Sequence, residues 1–232
     1  IDNNFTFYKI SKFYKNKIKC IAIQNAWRDL NEFKKKQIRE IYLDQFICYG
    51  PQTKSHYLSK GASVSKFHFF GSLRQSNAEK YFNRKKIKFH KKKYDLCLIE
   101  SLFSVLDKDT KIKTAVKNKK ILGFKTLLSH FLKISEEFNL NSIILLKSTL
   151  KEDYKKELKF YQNHMPKNCK VRLIKRKNSM YSSYHYSYNS KIVIGKSSSL
   201  LLENFCKNHK ILSCAFISRI FTKHPFLNPL FE

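Results

Sequence analysis

A parallel α/β fold is what this sequence predicts, and three observations predict it. Short β-branched runs alternate with longer amphipathic or polar stretches, as in strands joined by helical crossovers. A highly charged interruption separates one such series from another. Near the end of the second series, "KIVIGKSSSLLLENF" (191–205) has an apolar strand turning through Gly195 into a helical pattern.

In the first series "IKCIAIQ" (18–24), "QFICYG" (45–50) and "KFHFFGS" (66–72) read as strands. Between the last two, "PQTKSHYLSKGA" reads as a helix with Pro51 at its start and Gly61 at its end. The stretch "NRKKIKFHKKK" (83–93) is too charged to bury and reads as a linker. The second series opens with strand "YDLCLIES" (94–101), followed by a helix around 117–138 in which Phe124, Leu127, Leu128, Phe131 and Phe138 recur near helical spacing. Strands follow at 142–147, 170–175, 191–195 and 210–216, with helices at 150–163, over "MYSSYHYSY" and at 198–208. The expected organisation is two sheets, in residues 1–82 and 94–232, joined by a basic linker at 83–93. The chain opens on Ile1 rather than Met and is expected to be a fragment. There is no internal repeat.

Forty-seven Lys and Arg against 17 Asp and Glu give a formal charge of +30, which would attract nucleic acid, anionic lipid headgroups or phosphorylated substrates. The lysines are scattered and accompanied by abundant Phe, Tyr, Ile and Asn, so compositional bias explains the same charge. The six cysteines (20, 48, 97, 169, 206, 214) include no C-x-x-C pair and have no His at ligand spacing, so neither zinc nor a disulfide framework is indicated. They read as buried thiols of a reducing compartment, which puts the expected location in the cytoplasm. No apolar stretch approaches the roughly 18 residues of a membrane span. Peripheral contact of a basic face with the inner side of an anionic membrane is compatible with that location.

The turn after Gly195 is not a Walker A loop. That motif needs a glycine five residues before the G-K pair, and Ser190 stands there with strand residues "KIVI" between. A strand turning at once into a helix near Ser198 would instead aim free N–H groups and the hydroxyls of Ser197, Ser198 and Ser199 beyond the sheet's carboxyl edge, where α/β proteins bind ligands. Glu203, one turn on, could accept from ribose. The alternative is an ordinary serine N-cap and a solvated Glu203.

Strand, Gly, Ser-Ser-Ser-Leu, Glu203 and then "KNHKILSC" resembles the nucleotide-binding half of GT-B type transferases. The same order occurs in UDP-N-acetylglucosamine 2-epimerase and CDP-glycerol glycerophosphotransferases, and the likeness is to the bacterial surface-carbohydrate group. "IAIQNAWRD" and "YLDQFICYGPQTKSHYLSKGASVSKFHFFGSLRQSN" are similar to segments of that group's first domain, so the likeness covers most of residues 18–216. It implies a GT-B-like pair of Rossmann-like domains, 1–82 the C-terminal part of the first, incomplete at its N-terminus, and 94–232 the second, nucleotide-donor-binding one. It implies donor-phosphate contacts at Ser197, Ser198 and Ser199, a ribose contact at Glu203 and a phosphate contact at Lys147, which otherwise simply caps its strand. The segment "LLKSTLKE" lacks the His-Pro of relatives that use CMP-linked donors. Arg176, Asn178, Ser179 and Tyr181 fall where the donor base is held, although Tyr181, Tyr184 and Tyr188 also share one helical face suited to packing. Asn25, Arg28 and Arg74 fall on the acceptor cleft. Asp29 is either a general base for an acceptor hydroxyl or an ion-pair partner of Arg28 on a surface helix.

The implied function is metal-independent transfer of a sugar from a nucleotide-sugar donor to a surface polysaccharide or lipid-linked glycan, with no bound cofactor. A glycerophosphotransferase or epimerase on the same scaffold is the alternative within enzymes. A basic nucleic-acid-binding module is the alternative outside them, disfavoured because no recognition signature accompanies the charge.

Overall fold

The computed structural model describes residues 5–15, 17–24, 38–89, 91–99, 114–148, 150–176, 181–195 and 198–214. They fall into two compact units, and the division lies between Lys80 and Tyr81. Both are α/β with wholly parallel sheets, of three and five strands.

The first unit holds α1 (Phe5–Phe13), β1 (Ile21–Ile23), β2 (Tyr42–Cys48), α2 (Pro51–Ser59) and β3 (Ser63–Phe69), with the sheet in the order β1-β2-β3. Helix α2 starts at Pro51, whose missing N–H would have no helical partner there, and ends before Gly61, where φ is +91°. Tyr8, Ile38, Leu43, Phe46 and Tyr57 form the buried centre of this unit, Phe46 meeting Tyr57 edge-on at 5.0 Å. The hydroxyl of Ser11, on the buried face of α1, donates to the carbonyl of Tyr42 and ties the helix to the start of β2. Helix α3 (Leu73–Arg84) contains the division between the units. Ser72 caps it, its hydroxyl accepting from the Gln75 N–H at 3.2 Å.

The second unit runs β4 (Tyr94–Ile99), α4 (Thr114–Glu137), β5 (Ser142–Leu145), α5 (Lys151–His164), β6 (Arg172–Ile174), α6 (Ser182–Tyr188), β7 (Ser190–Gly195), α7 (Ser199–Phe205) and β8 (Lys210–Ser213). Strands β4 and β5 are buried along nearly their whole length, as sheet strands covered on both faces must be. On one face Leu96, Leu98 and Ile144 pack under Phe124, Leu128 and Phe131 of α4 and Tyr161 of α5. The spacing of those α4 residues, four and three apart, is the stripe a helix lays on a sheet. On the other face Cys97, Ile99 and Val193 pack against Tyr186 of α6 and Leu201 of α7. Strand order β6-β5-β4-β7-β8 reverses direction between β4 and β7, so the sheet is doubly wound.

Two expectations shift. Asn83 and Arg84, read as the start of a linker, close α3. Further along that segment Phe89 is drawn in, its ring 5.0 Å from Phe82 and 5.5 Å from Tyr188. A short apolar element among the lysines suffices to dock the segment, because long charged side chains keep their heads in water while the backbone follows Phe89.

The amino edge of the five-stranded sheet is a polar lattice. Asp95 accepts from the Asn141 N–H at 2.8 Å and pairs with the Lys191 amine at 2.7 Å, and Asn141 in turn receives Arg172 at 2.8 Å. The Lys191 hydrogen bond, then that of the Asn141 amide, holds the Asp95 carboxyl below its ordinary range. Beside this lattice His209 stacks on Tyr188 at 4.9 Å, and burial, then the nearby amines of Lys92 and Lys207, lower its pKa to about 4. The unfolded chain therefore takes up a proton near pH 6.5 that the folded chain refuses until about pH 4. Stability associated with His209 is complete above that window and falls as the pH drops through it. His209→Phe, which keeps the stacking, is expected to flatten the thermal midpoint between pH 6.5 and 4 relative to wild type, measured by melting across pH. Equal slopes in the two proteins would refute this.

Candidate functional site

The site is built where the strand order reverses. In a doubly wound sheet the crossovers on either side of that point leave on opposite faces, which opens a crevice beyond the carboxyl ends of the two strands. Here those ends are Ile99 of β4 and Gly195 of β7, paired in register. Gly195 is required by proximity: a Cβ built on it would stand 2.5 Å from the Ile99 carbonyl oxygen and 3.1 Å from its Cγ1. No residue with a side chain fits without separating the strands. On the other side the Gly195 carbonyl accepts from the Cys214 N–H at 2.8 Å, so the end of β7 is fixed from both neighbours.

Ser198, three residues after Gly195, caps α7. Its hydroxyl oxygen accepts from the Leu200 N–H at 3.3 Å and its carbonyl from the Leu201 N–H at 3.0 Å. A capping hydroxyl accepts from the helix and still has its own proton to donate, so capping and anion contact are compatible at Ser198. Ser198 and Ser199 are both half-buried.

Glu203 is not a solvated helix residue. It is 5% exposed, and its Oε2 accepts from the Tyr184 hydroxyl at 2.8 Å, a charge-assisted bond that joins α7 to α6. The ribose role implied for Glu203 thus requires one carboxylate to serve Tyr184 and a ribose together. Beside it Asn204, also buried, donates to the Ser187 hydroxyl at 3.1 Å and to the Leu200 carbonyl at 2.8 Å.

Lys147 is exposed just past the carboxyl end of β5, two strands from β7 and so about 10 Å from it. Its backbone is held from behind. Glu157 of α5, fully buried, accepts from the Lys147 N–H at 3.0 Å through Oε1 and from the Ser148 N–H at 2.9 Å through Oε2. Two consecutive amides that could have faced an anion are occupied by the protein's own carboxylate, so any anion contact at this strand end falls to the Lys147 side chain. Sequence reading missed Glu157. Its signal was a carboxylate set on the apolar stripe of Tyr154, Leu158 and Tyr161.

Arg176 is half-buried after β6. Tyr181 is half-buried and leans on Tyr81 at 5.0 Å between ring centroids, so part of its ring is used in packing. Tyr184 and Tyr188 are buried and meet each other at 5.9 Å. Arg74 is exposed on α3 in the first unit. Asn25, Arg28, Asp29, Asn178, Ser179 and Ser197 lie outside the described residues. Ser198 and Ser199 thus share the carboxyl edge of the five-stranded sheet with Lys147, with Glu203 packed behind them. Among the described residues no group of three His, Cys, Asp or Glu side chains could hold a metal ion. Nor is any helix among them long and apolar enough to cross a membrane.

No family model matches the chain, and no curated protein matches it.

Proposed function

We propose that the protein is a GT-B type glycosyltransferase of surface-carbohydrate synthesis, moving a sugar from a nucleotide-activated donor to a surface polysaccharide or lipid-linked glycan. The observation that carries this reading is the reversal of strand order between β4 and β7, with a strand end at Gly195 that only glycine fits, three residues before the cap Ser198. In it the donor diphosphate lies beyond Gly195, receiving hydrogen bonds from the hydroxyls of Ser197, Ser198 and Ser199 and charge from Lys147. These groups stabilise the negative charge that grows on the leaving phosphate, so no metal is required. Arg176, Asn178, Ser179 and Tyr181 border the base. Tyr184 holds Glu203 toward α6, and the ribose hydroxyls would share that carboxylate. Asn25, Arg28, Asp29 and Arg74 serve the acceptor, with Asp29 taking the proton from its attacking hydroxyl.

A nucleotide-sugar panel followed by thermal shift tests the assignment. One nucleotide class is expected to raise the melting temperature of wild type by several degrees at about 100 times its Kd. The Ser198→Gly, Ser199→Ala double variant should lose most of that shift, since glycine keeps the cap nearly intact while removing the hydroxyl. An equal shift in both proteins would sink the phosphate assignment.

A further inference from the structure

Between Arg84 and Lys93, seven of ten residues are Lys or Arg, against 47 of 232 in the whole chain. All but Lys92 of these seven are exposed. The ion pairs Lys12–Glu40, Lys155–Glu152 and Lys191–Asp95 all lie outside this segment, which itself contains no Asp or Glu. Scattered lysines on a solvated surface are ordinary, but this density without a carboxylate is not.

The segment is also anchored. The Ile87 N–H donates to the Phe82 carbonyl at 2.9 Å, Phe89 lies 5.8 Å from His185 and 5.5 Å from Tyr188, and the Lys92 amine donates to the Tyr188 carbonyl at 2.7 Å. At its far end the Lys93 N–H reaches the Asn189 carbonyl at 2.8 Å. A charged strap pinned at intervals loses little further entropy when a partner meets it.

We propose that this strap is a docking surface for an anionic phospholipid membrane. Its charges point outward while Phe89 points in, half-buried against the buried rings of Phe82 and Tyr188. A platform for single-stranded nucleic acid needs exposed ring faces for successive bases, and Phe89 is used in anchoring the strap. What it presents is a fixed row of cations at the density that binds acidic headgroups. The strap leads directly into Tyr94, the first residue of β4, and so lies at the amino edge of the five-stranded sheet. The candidate donor crevice is at the opposite edge, six strand residues and about 20 Å away. Membrane contact at the strap leaves that crevice facing solution. The inference stands independently of the transferase reading.

The test is flotation of the full chain with vesicles of phosphatidylcholine alone or with about a third phosphatidylglycerol. Wild type should float with the anionic vesicles only, and half-molar salt should release it. Changing Lys85, Lys86, Lys88 and Lys91 to Gln should weaken partitioning about 100-fold or more, from the per-charge contribution at such a surface. The same substitution at Lys151, Lys155, Lys156 and Lys159, four exposed lysines of α5, should change it by less than about threefold. Equal loss in the two variants would reduce the effect to net charge and overturn the proposal. So would equal binding of wild type to neutral vesicles, or a preference for an oligonucleotide over anionic vesicles that the strap variant abolishes. A nucleotide-sugar thermal shift retained in the strap variant separates this result from the fate of the donor site.

Discussion

Gly195→Ala is expected to lower the stability of the second unit by about 3 kcal/mol, the upper part of the usual range for forcing an atom into a filled interior. The reason is local and steric. The added Cβ would meet a strand carbonyl at 2.5 Å, and the backbone of Ile99 cannot swing aside as a flexible side chain could. Relief comes only by prying β4 from β7 at the carboxyl edge, which also costs the pairing of Gly195 with Ser213 on the other side. In a unit of this size the melting temperature should fall by about 6–12 °C. A variant within 2 °C of wild type would show that the strand ends are farther apart than described.

Glu157→Ala is expected to cost about 3–5 kcal/mol, because it orphans two adjacent N–H donors and opens a cavity in α5's buried face. Glu157→Gln keeps one acceptor and turns an N–H₂ group toward the other amide, so it should cost about half as much. Urea denaturation gives both values. Amide exchange gives the signature that a simple packing loss would lack: Lys147 and Ser148 N–H groups should lose protection in both variants before the strand core does. Unchanged exchange at those two positions would contradict the clamp.

The strands of the second unit were legible because β-branched runs such as "SIILLK" and "KIVIG" are buried on both faces and cannot be mistaken for solvated segments. Their order was not written in the runs. It emerges from right-handed crossovers and from which helix covers which face. Helix α3 went unread because only Gln75, Ala78 and Phe82 are buried along it, too sparse an apolar stripe to detect among polar neighbours. Strands β2 and β3 begin earlier than the runs read for them, at Tyr42 and Ser63, because Asp44 and Gln45 interrupt the apolar pattern of β2 after the buried Leu43, and Ser63, Ser65 and Lys66 are exposed in β3.

At the candidate site the serine turn was readable as a cap, and Ser198 is one. Less legible is the pair of buried carboxylates behind the edge, of which only Glu157 carries a signal, its place on the apolar stripe of α5, and neither shows its partner. Glu157 is ten residues from Lys147, and Glu203 is nineteen from Tyr184. Such bonds depend on how helices lie on the sheet, so a lone glutamate in the sequence looks the same whether it faces water or a backbone amide. Burial converts the first kind into the second, because a carboxylate removed from water must find donors.

Calorimetric binding of nucleoside diphosphates against the matching nucleosides tests the central claim most directly, since the crevice beyond Gly195 is held to recognise phosphate. One diphosphate should bind at least about tenfold more tightly than its nucleoside, and the Ser198→Gly, Ser199→Ala variant should close most of that gap. Equal affinity for nucleoside and diphosphate, or a diphosphate preference untouched by the serine changes, would contradict it.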